Sequence, residues 1–399
     1  MFNRSLYTLP FISLIFANMF FWMSANFFLP VLPIYYHSLG MNDHQVGLAI
    51  GAYSLGALLF RLPSGKAVDR WGGRRVISAG ILLSIAAIAS YYFSQTTATA
   101  TVSRFLHGMG ISGYSAAALT MVTLMPDERN TTQAVAAYTL FTMFGIGIAA
   151  SSASWLFQLS GMPLVIAAGI AATGLALILF PLRAQVKMPA EQGEILPFRA
   201  MMKRPGIVIP TVSLAAANMC YGSMMTFLPL LMLSQGMAEF HLFYVSYAVA
   251  VVFTRFWVGW LSERFASERL TFFVLLLLAA TMLTAGGVTG PGALLLSGAG
   301  IGAGYGLAFP VMATTITANT QPANRGSAFG FFTTAVDVGF AAGAIAMGAV
   351  AAAWGYKAVF VTAGLYTAAY AFLYQAWLLG KLDPKRLRPD RARRPLPKI

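Results

Sequence analysis

The chain has 399 residues, 58% of them hydrophobic and only 10% charged, with a mean hydropathy of +0.70 and a formal charge of +14. A soluble domain carries about 25% charged residues to hydrate its surface, so this composition excludes one or two water-soluble domains and points to an integral membrane protein. It also excludes a nucleic-acid binder, which would group far more than 26 Lys and Arg on one polar face.

Arg4 precedes a long apolar stretch with no small-residue cleavage site, which reads as an uncleaved first span rather than a signal peptide. About 20 apolar residues cross a bilayer as a helix, and the runs here lack the roughly ten-residue alternation of a barrel. The predicted spans are 8–36, 44–65, 74–95, 98–124, 131–158 and 162–183, then 205–234, 239–261, 269–288, 292–318, 324–352 and 357–380. The expected fold is all-α and membrane-integral, with twelve transmembrane helices in two six-helix bundles. The first bundle covers 1–183 and the second 205–380, separated by a central cytoplasmic loop at 184–204 and followed by a basic tail at 381–399. The single cysteine, Cys220, lies within a span and excludes an internal disulfide framework or a cysteine-based zinc site.

Charge tests this topology. With both termini cytoplasmic, 22 of the 26 basic residues fall on inner segments, including Lys66, Arg70, Arg74 and Arg75 after the second span and eight residues after 380. Arg61, Arg104 and Arg255 are associated with spans, and Lys357 alone faces out. The positive-inside rule is met almost throughout, and the +14 is a record of topology.

The halves repeat each other. Arg61-Leu-Pro-Ser-Gly65, Asp69-Arg70 and Arg75 recur as Arg255-Phe-Trp-Val-Gly259, Glu263-Arg264 and Arg269, at a constant offset of 194. Asn18-Met19 returns as Asn218-Met219, Gly40-Met41 as Gly236-Met237, and Pro126 and Arg129 as Pro322 and Arg325. Parallel six-span repeats place a pathway between the halves near the bilayer midplane.

The run Gly65-Lys-Ala-Val-Asp69-Arg70-Trp-Gly72-Gly-Arg74-Arg75 resembles the loop 2–3 signature of the major facilitator superfamily, and Arg104-Phe-Leu-His107-Gly108-Met-Gly110 resembles its span 4 motif. The resemblance covers the whole chain and implies a two-bundle transporter working by alternating access. Within the superfamily the chain is most similar to bacterial drug, sugar and metallophore efflux permeases of the proton-antiporter type. That similarity implies a monomer in the bacterial cytoplasmic (inner) membrane, with a small-molecule substrate, protons and membrane lipid as partners and no cofactor. It also implies a conformational latch at the cytoplasmic end of span 2, built from Gly65, Asp69, Arg70, Gly72, Arg74 and Arg75. Gly259, Glu263 and Arg264 form a second copy without the second glycine. A carboxylate at Asp69 would face the positive N-terminus of a neighbouring helix. The alternative is that these charges are only solvated topology determinants.

Charge inside a span costs roughly 2.5–3.5 kcal/mol on insertion scales, so it marks function or a fixed ion pair. Asp337 is the one acid deep within a span and is the expected proton carrier. Arg104 is expected to tune that site or to hold an anionic substrate group. His107, three residues on and on the same helix face, is a second proton candidate or a core hydrogen-bonding histidine. Asn26 stands where several proton antiporters place an acid, and Gly145-Ile-Gly147 in span 5 lacks the proline of the antiporter signature. The cavity lining is expected from Trp22, Asn26, Tyr221, Tyr247, Tyr305 and Phe309, together with Arg104 and Asp337, although in a chain with 13% aromatics rings also simply pack.

The glycine run from Gly298 to Gly306 lies inside a span without a βαβ unit, so it reads as close helix packing, not a dinucleotide fingerprint. No Walker loop, metal cluster or enzyme constellation is visible. The expected function is proton-coupled export of a small amphipathic organic compound. The alternatives are uptake of an organic anion, a lipid translocase, or a non-transporting membrane sensor.

Overall fold

The computed structural model describes residues 8–124, 131–180, 202–237, 241–287, 289–320 and 325–381. Pro126, Arg129, Pro322, Glu239, nearly all of the central segment and the tail beyond 381 lie outside the described residues, as do the side chains of Asp69 and Arg325. The helices are α1 (Leu9–Asn26), α2 (Leu32–Ser38), α3 (Asp43–Trp71), α4 (Gly73–Ser90), α5 (Thr97–Leu124) and α6 (Thr131–Leu179). They are followed by α7 (Pro205–Ser234), α8 (His241–Arg264), α9 (Ser267–Ala285), α10 (Pro291–Ala318) and α11 (Arg325–Lys381). Among the described residues there is no strand, and nine helices are long and apolar enough to cross a membrane. Such an architecture follows from lipid as solvent, since each backbone N–H and C=O must find its partner within the segment.

Two helices exceed any bilayer. At 1.5 Å per residue, α6 with 49 residues and α11 with 57 would run to about 70 and 85 Å, against a hydrocarbon core of about 30 Å. Each is broken by a glycine in the left-handed region, Gly161 at φ +69° and Gly355 at φ +78°, conformations that a side chain resists. The breaks fall at the predicted gaps 158–162 and 352–357, and they occupy equivalent positions in the two halves.

The first predicted span, 8–36, is not one helix. It turns over Phe27–Val31 between α1 and α2, where Pro30 supplies no N–H and crowds the preceding turn. Elsewhere the ends are conventional. Asn42 caps α3 in a capping box with Gln45, both bonds at 2.9 Å, and Pro205 and Pro291 open α7 and α10.

Packing reproduces the internal repeat. In the first half α1 lies on α6, and α5 on both α3 and α4; in the second, α7 lies on α11, and α10 on both α8 and α9. A Cβ on Gly145 would collide with the Met19 carbonyl, and one on Gly343 with the Met219 carbonyl. The same intimate crossing is therefore made twice. The bundles meet chiefly along two seams, α3 against α11 and α6 against α8, and α7 also touches α2 and α3. α7 is the most buried helix and α8 among the least; α8 turns Phe253, Phe256, Trp257 and Trp260 outward, a face that suits lipid.

Candidate functional site

The α3–α11 seam has two ends of different character. At one, the Tyr356 hydroxyl donates to Asp43 Oδ1 at 2.7 Å, and Gly47 meets the backbone of Ala344 and Gly348. Here the halves are closed. Arg61 lies 18 residues further along α3, about 27 Å from that tie. Its guanidinium crosses to α11, donating from Nε to Asp337 Oδ2 at 3.1 Å, from Nη2 to the same oxygen, and from Nη1 to Thr333 Oγ1 at 3.3 Å. The Asp337 side chain is 10% exposed and that of Arg61 26%.

Beyond Arg61, toward the end carrying the basic turns, the described latch residues other than Arg74 stand open. Nothing lies within 4 Å of a Cβ built on Gly65 or Gly259. Arg70, Arg75, Glu263 and Arg264 are exposed, and Arg264 sits 4.5 Å over its own helix's Trp260 ring. Gly72 makes the α3–α4 turn at φ +83°, and Arg74 is half-buried.

Three of the expected lining residues come together. Tyr221 of α7 stacks on Tyr305 of α10 with ring centroids 4.3 Å apart and planes 15° apart, and on Tyr247 of α8 at 5.9 Å. Phe340 of α11 closes on Tyr221 at 5.9 Å. Tyr305 is within electrostatic reach of Asp337, so the ring cluster and the ion pair share one region between the halves. Phe309, one turn from Tyr305, instead packs on Phe332 at 5.3 Å. Trp22 and Asn26 belong to the first half: Trp22 packs on its core, and Asn26 donates to the Trp22 carbonyl at 2.8 Å.

Arg104 and His107 form a separate, wholly buried cluster. Arg104 donates to the Tyr91 hydroxyl at 3.2 Å and lies 4.3 Å over the Tyr53 ring. His107 Nδ1 shares the same Tyr91 hydroxyl at 2.7 Å. Arg104 Nε and Nη2, His107 Nε2 and the Tyr36 hydroxyl have no hydrogen-bond partner. Asp337 thus has Arg61, not Arg104, as its partner, and Tyr53 stands within electrostatic reach of both Arg104 and Asp337.

Sequence reasoning noted Arg61 and Arg255 as span-associated charges but gave them, and Tyr53, no role in the site. The signal was present: the 194-residue offset equates Arg61 with Arg255 and Tyr53 with Tyr247, and the energetic case made for a buried acid applies equally to buried arginines.

The arrangement offers a charge pair across a seam, a tyrosine stack beside it that is buried except at Tyr305, and one end closed while the other is open. It offers no metal cluster among the described residues. The family model for the Major Facilitator Superfamily matches residues 14–285 and 236–399. The staphylopine export protein of Staphylococcus aureus is 25% identical over 377 residues, covering 89% of this chain and 93% of that protein. The bacillibactin exporter of Bacillus subtilis is 29% identical over 96 residues, 23% of this chain and 24% of that protein. The crystal structure of the nucleoside transporter NupG superposes with a TM-score of 0.73 at 15% identity, covering 94% of this chain and 99% of that one.

Proposed function

Because the chain belongs to the Major Facilitator Superfamily of membrane transporters, we propose that it is a secondary active transporter exporting a small amphipathic organic compound in exchange for protons. The observation that carries the reading is the Arg61–Asp337 pair across the α3–α11 seam. A proton on Asp337 removes the charge that holds Arg61, so that proton loading and the contact between the halves become one event. Tyr305, the partly exposed ring of the tyrosine stack beside it, offers a ring face to a planar solute without demanding one shape. Export is favoured by likeness to a staphylopine export protein and a bacillibactin exporter, which also favours a metallophore-like cargo over a drug or a sugar.

In this reading the twelve spans sit in a bacterial cytoplasmic membrane with both termini inside. The Asp43–Tyr356 end then faces out, and the described state is open to the cytoplasm. The Asp69 latch forms in the opposite state, when the inner ends of α3 and α11 approach.

The test is flux in liposomes under separately imposed pH and voltage gradients. Wild-type protein should drive solute against inward proton flow, and Asp337→Asn should lose gradient-driven flux while keeping downhill exchange. Flux indifferent to both gradients overturns the reading; solute moving with the protons means uptake instead.

A further inference from the structure

Arg255 is the second-half counterpart of Arg61, and the two meet different partners. Arg61 finds an acid across its seam. α8, which carries Arg255, packs across the other seam against α6, and α6 contains no Asp or Glu from Thr131 to Leu179. Arg255 Nε is buried without a hydrogen-bond partner, and no acid pairs with this side chain among the described residues. Its surroundings are phenols. Tyr305 and Tyr247 lie within electrostatic reach of the guanidinium, and both stack on Tyr221. Tyr305 also feels Asp337, so the ring stack lies between a compensated arginine and an uncompensated one.

A guanidinium partly withdrawn from water is stabilised by an anion that balances it, and its planar fork fits a carboxylate with two parallel bonds. Among the described residues, that side has rings but no acid. We infer that Arg255, with Tyr305 backed by Tyr221 and Tyr247, is the acid-binding end of the ligand site: the solute carries a carboxylate that seats on Arg255, beside a planar group that lies against Tyr305, the partly exposed ring of the stack. The inference deepens the transport reading and rests on it for the solute's being cargo. Binding itself does not depend on proton coupling.

The experiment is equilibrium binding to the purified full-length protein, without any gradient. It follows the fluorescence anisotropy of 1-naphthoate, its neutral isostere 1-naphthamide and the cationic 1-naphthylmethylamine. Naphthoate should bind at least about tenfold more tightly than the other two, a difference of about 1.4 kcal/mol. Arg255→Gln should erase that preference while leaving naphthamide unchanged, Arg255→Lys should keep part of it, and Tyr305→Leu should weaken naphthoate and naphthamide together. Equal binding of the three probes, no naphthoate binding, or an Arg255→Gln protein that still prefers naphthoate overturns the inference. The wild-type preference needs no variant, so a misfolded Arg255→Gln leaves the decision intact. Proton-driven flux without charge discrimination defeats this inference alone; Arg255-dependent naphthoate binding without proton-driven flux defeats only the exchange reading.

Discussion

Breaking the Arg61–Asp337 pair from its two sides should not cost the same. Arg61→Gln leaves Asp337, the less exposed partner at 10%, without the guanidinium that gives its carboxylate oxygen two donors. Stranding one member of a buried pair costs about 3–5 kcal/mol. Asp337→Asn leaves Arg61 at 26% exposure, still able to reach Thr333 and water, for a loss of about 1–2 kcal/mol. The double variant leaves two neutral amides and should recover about 2 kcal/mol of coupling. With about 2.1 cal/mol/K of unfolding entropy per residue, 399 residues convert 3 kcal/mol into about 4 °C of Tm. The chain carries its own reporter, because its single thiol, Cys220, is fully buried against Thr367 and reacts with a thiol-specific dye only on unfolding. Arg61→Gln should melt about 4 °C below wild type, Asp337→Asn about 2 °C below, and the double variant above Arg61→Gln. Additive shifts, or an Arg61→Gln protein no less stable than Asp337→Asn, would refute the claim that this pair joins the halves.

Glycine substitutions separate packing from gating. Gly145→Val and Gly343→Val insert atoms where the Met19 and Met219 carbonyls already sit, so each should lose about 1–3 kcal/mol in thermal unfolding and most flux. Gly65→Ala meets open space in this state; its Tm should stay within about 1 °C of wild type, while flux falls if the latch closes on it in the other state. Arg104→Met removes a buried guanidinium that has two unpartnered nitrogens, and by analogy with buried ion pairs should leave Tm equal or higher; a marked fall would mean that Arg104 is a structural anchor. Cys220→Ser keeps a hydroxyl facing Thr367 and should preserve flux while abolishing dye labelling of the unfolded chain.

Much of the fold was legible because lipid imposes a simple length rule and loops record their side of the membrane in Lys and Arg. The breaks at Gly161 and Gly355 sit where apolar runs pause. The turn at Phe27–Val31 was not legible, because Pro30 lies inside an unbroken apolar run and hydropathy does not register a missing N–H. The site was legible one residue at a time rather than in its pairings. Asp337 stands out as a lone acid, and Tyr221, Tyr247 and Tyr305 as rings on adjacent helices. Which arginine meets Asp337 depends on how α3 crosses α11, a relation across 276 residues that no local pattern encodes. Arg104 looked like the natural partner from composition alone, but α5 aims it at Tyr91 and Tyr53. Asn26 bonds to the Trp22 carbonyl and Trp22 packs on the core of its own half.

The deep burial of α7 has a mechanical side. Its concealed surface is rich in methionine, with Met224, Met225 and Met232 almost fully enclosed and Met219 packed against the same core, and it touches α2 and α3 of the opposite half. Thioether chains are unbranched and repack with little penalty, whereas branched side chains lock into a single register. A helix lined this way behaves as a compliant bearing. In the proposed transport cycle one bundle tilts against the other while such a core stays filled, and the polar ties at Asp43–Tyr356 and Arg61–Asp337 are what must break.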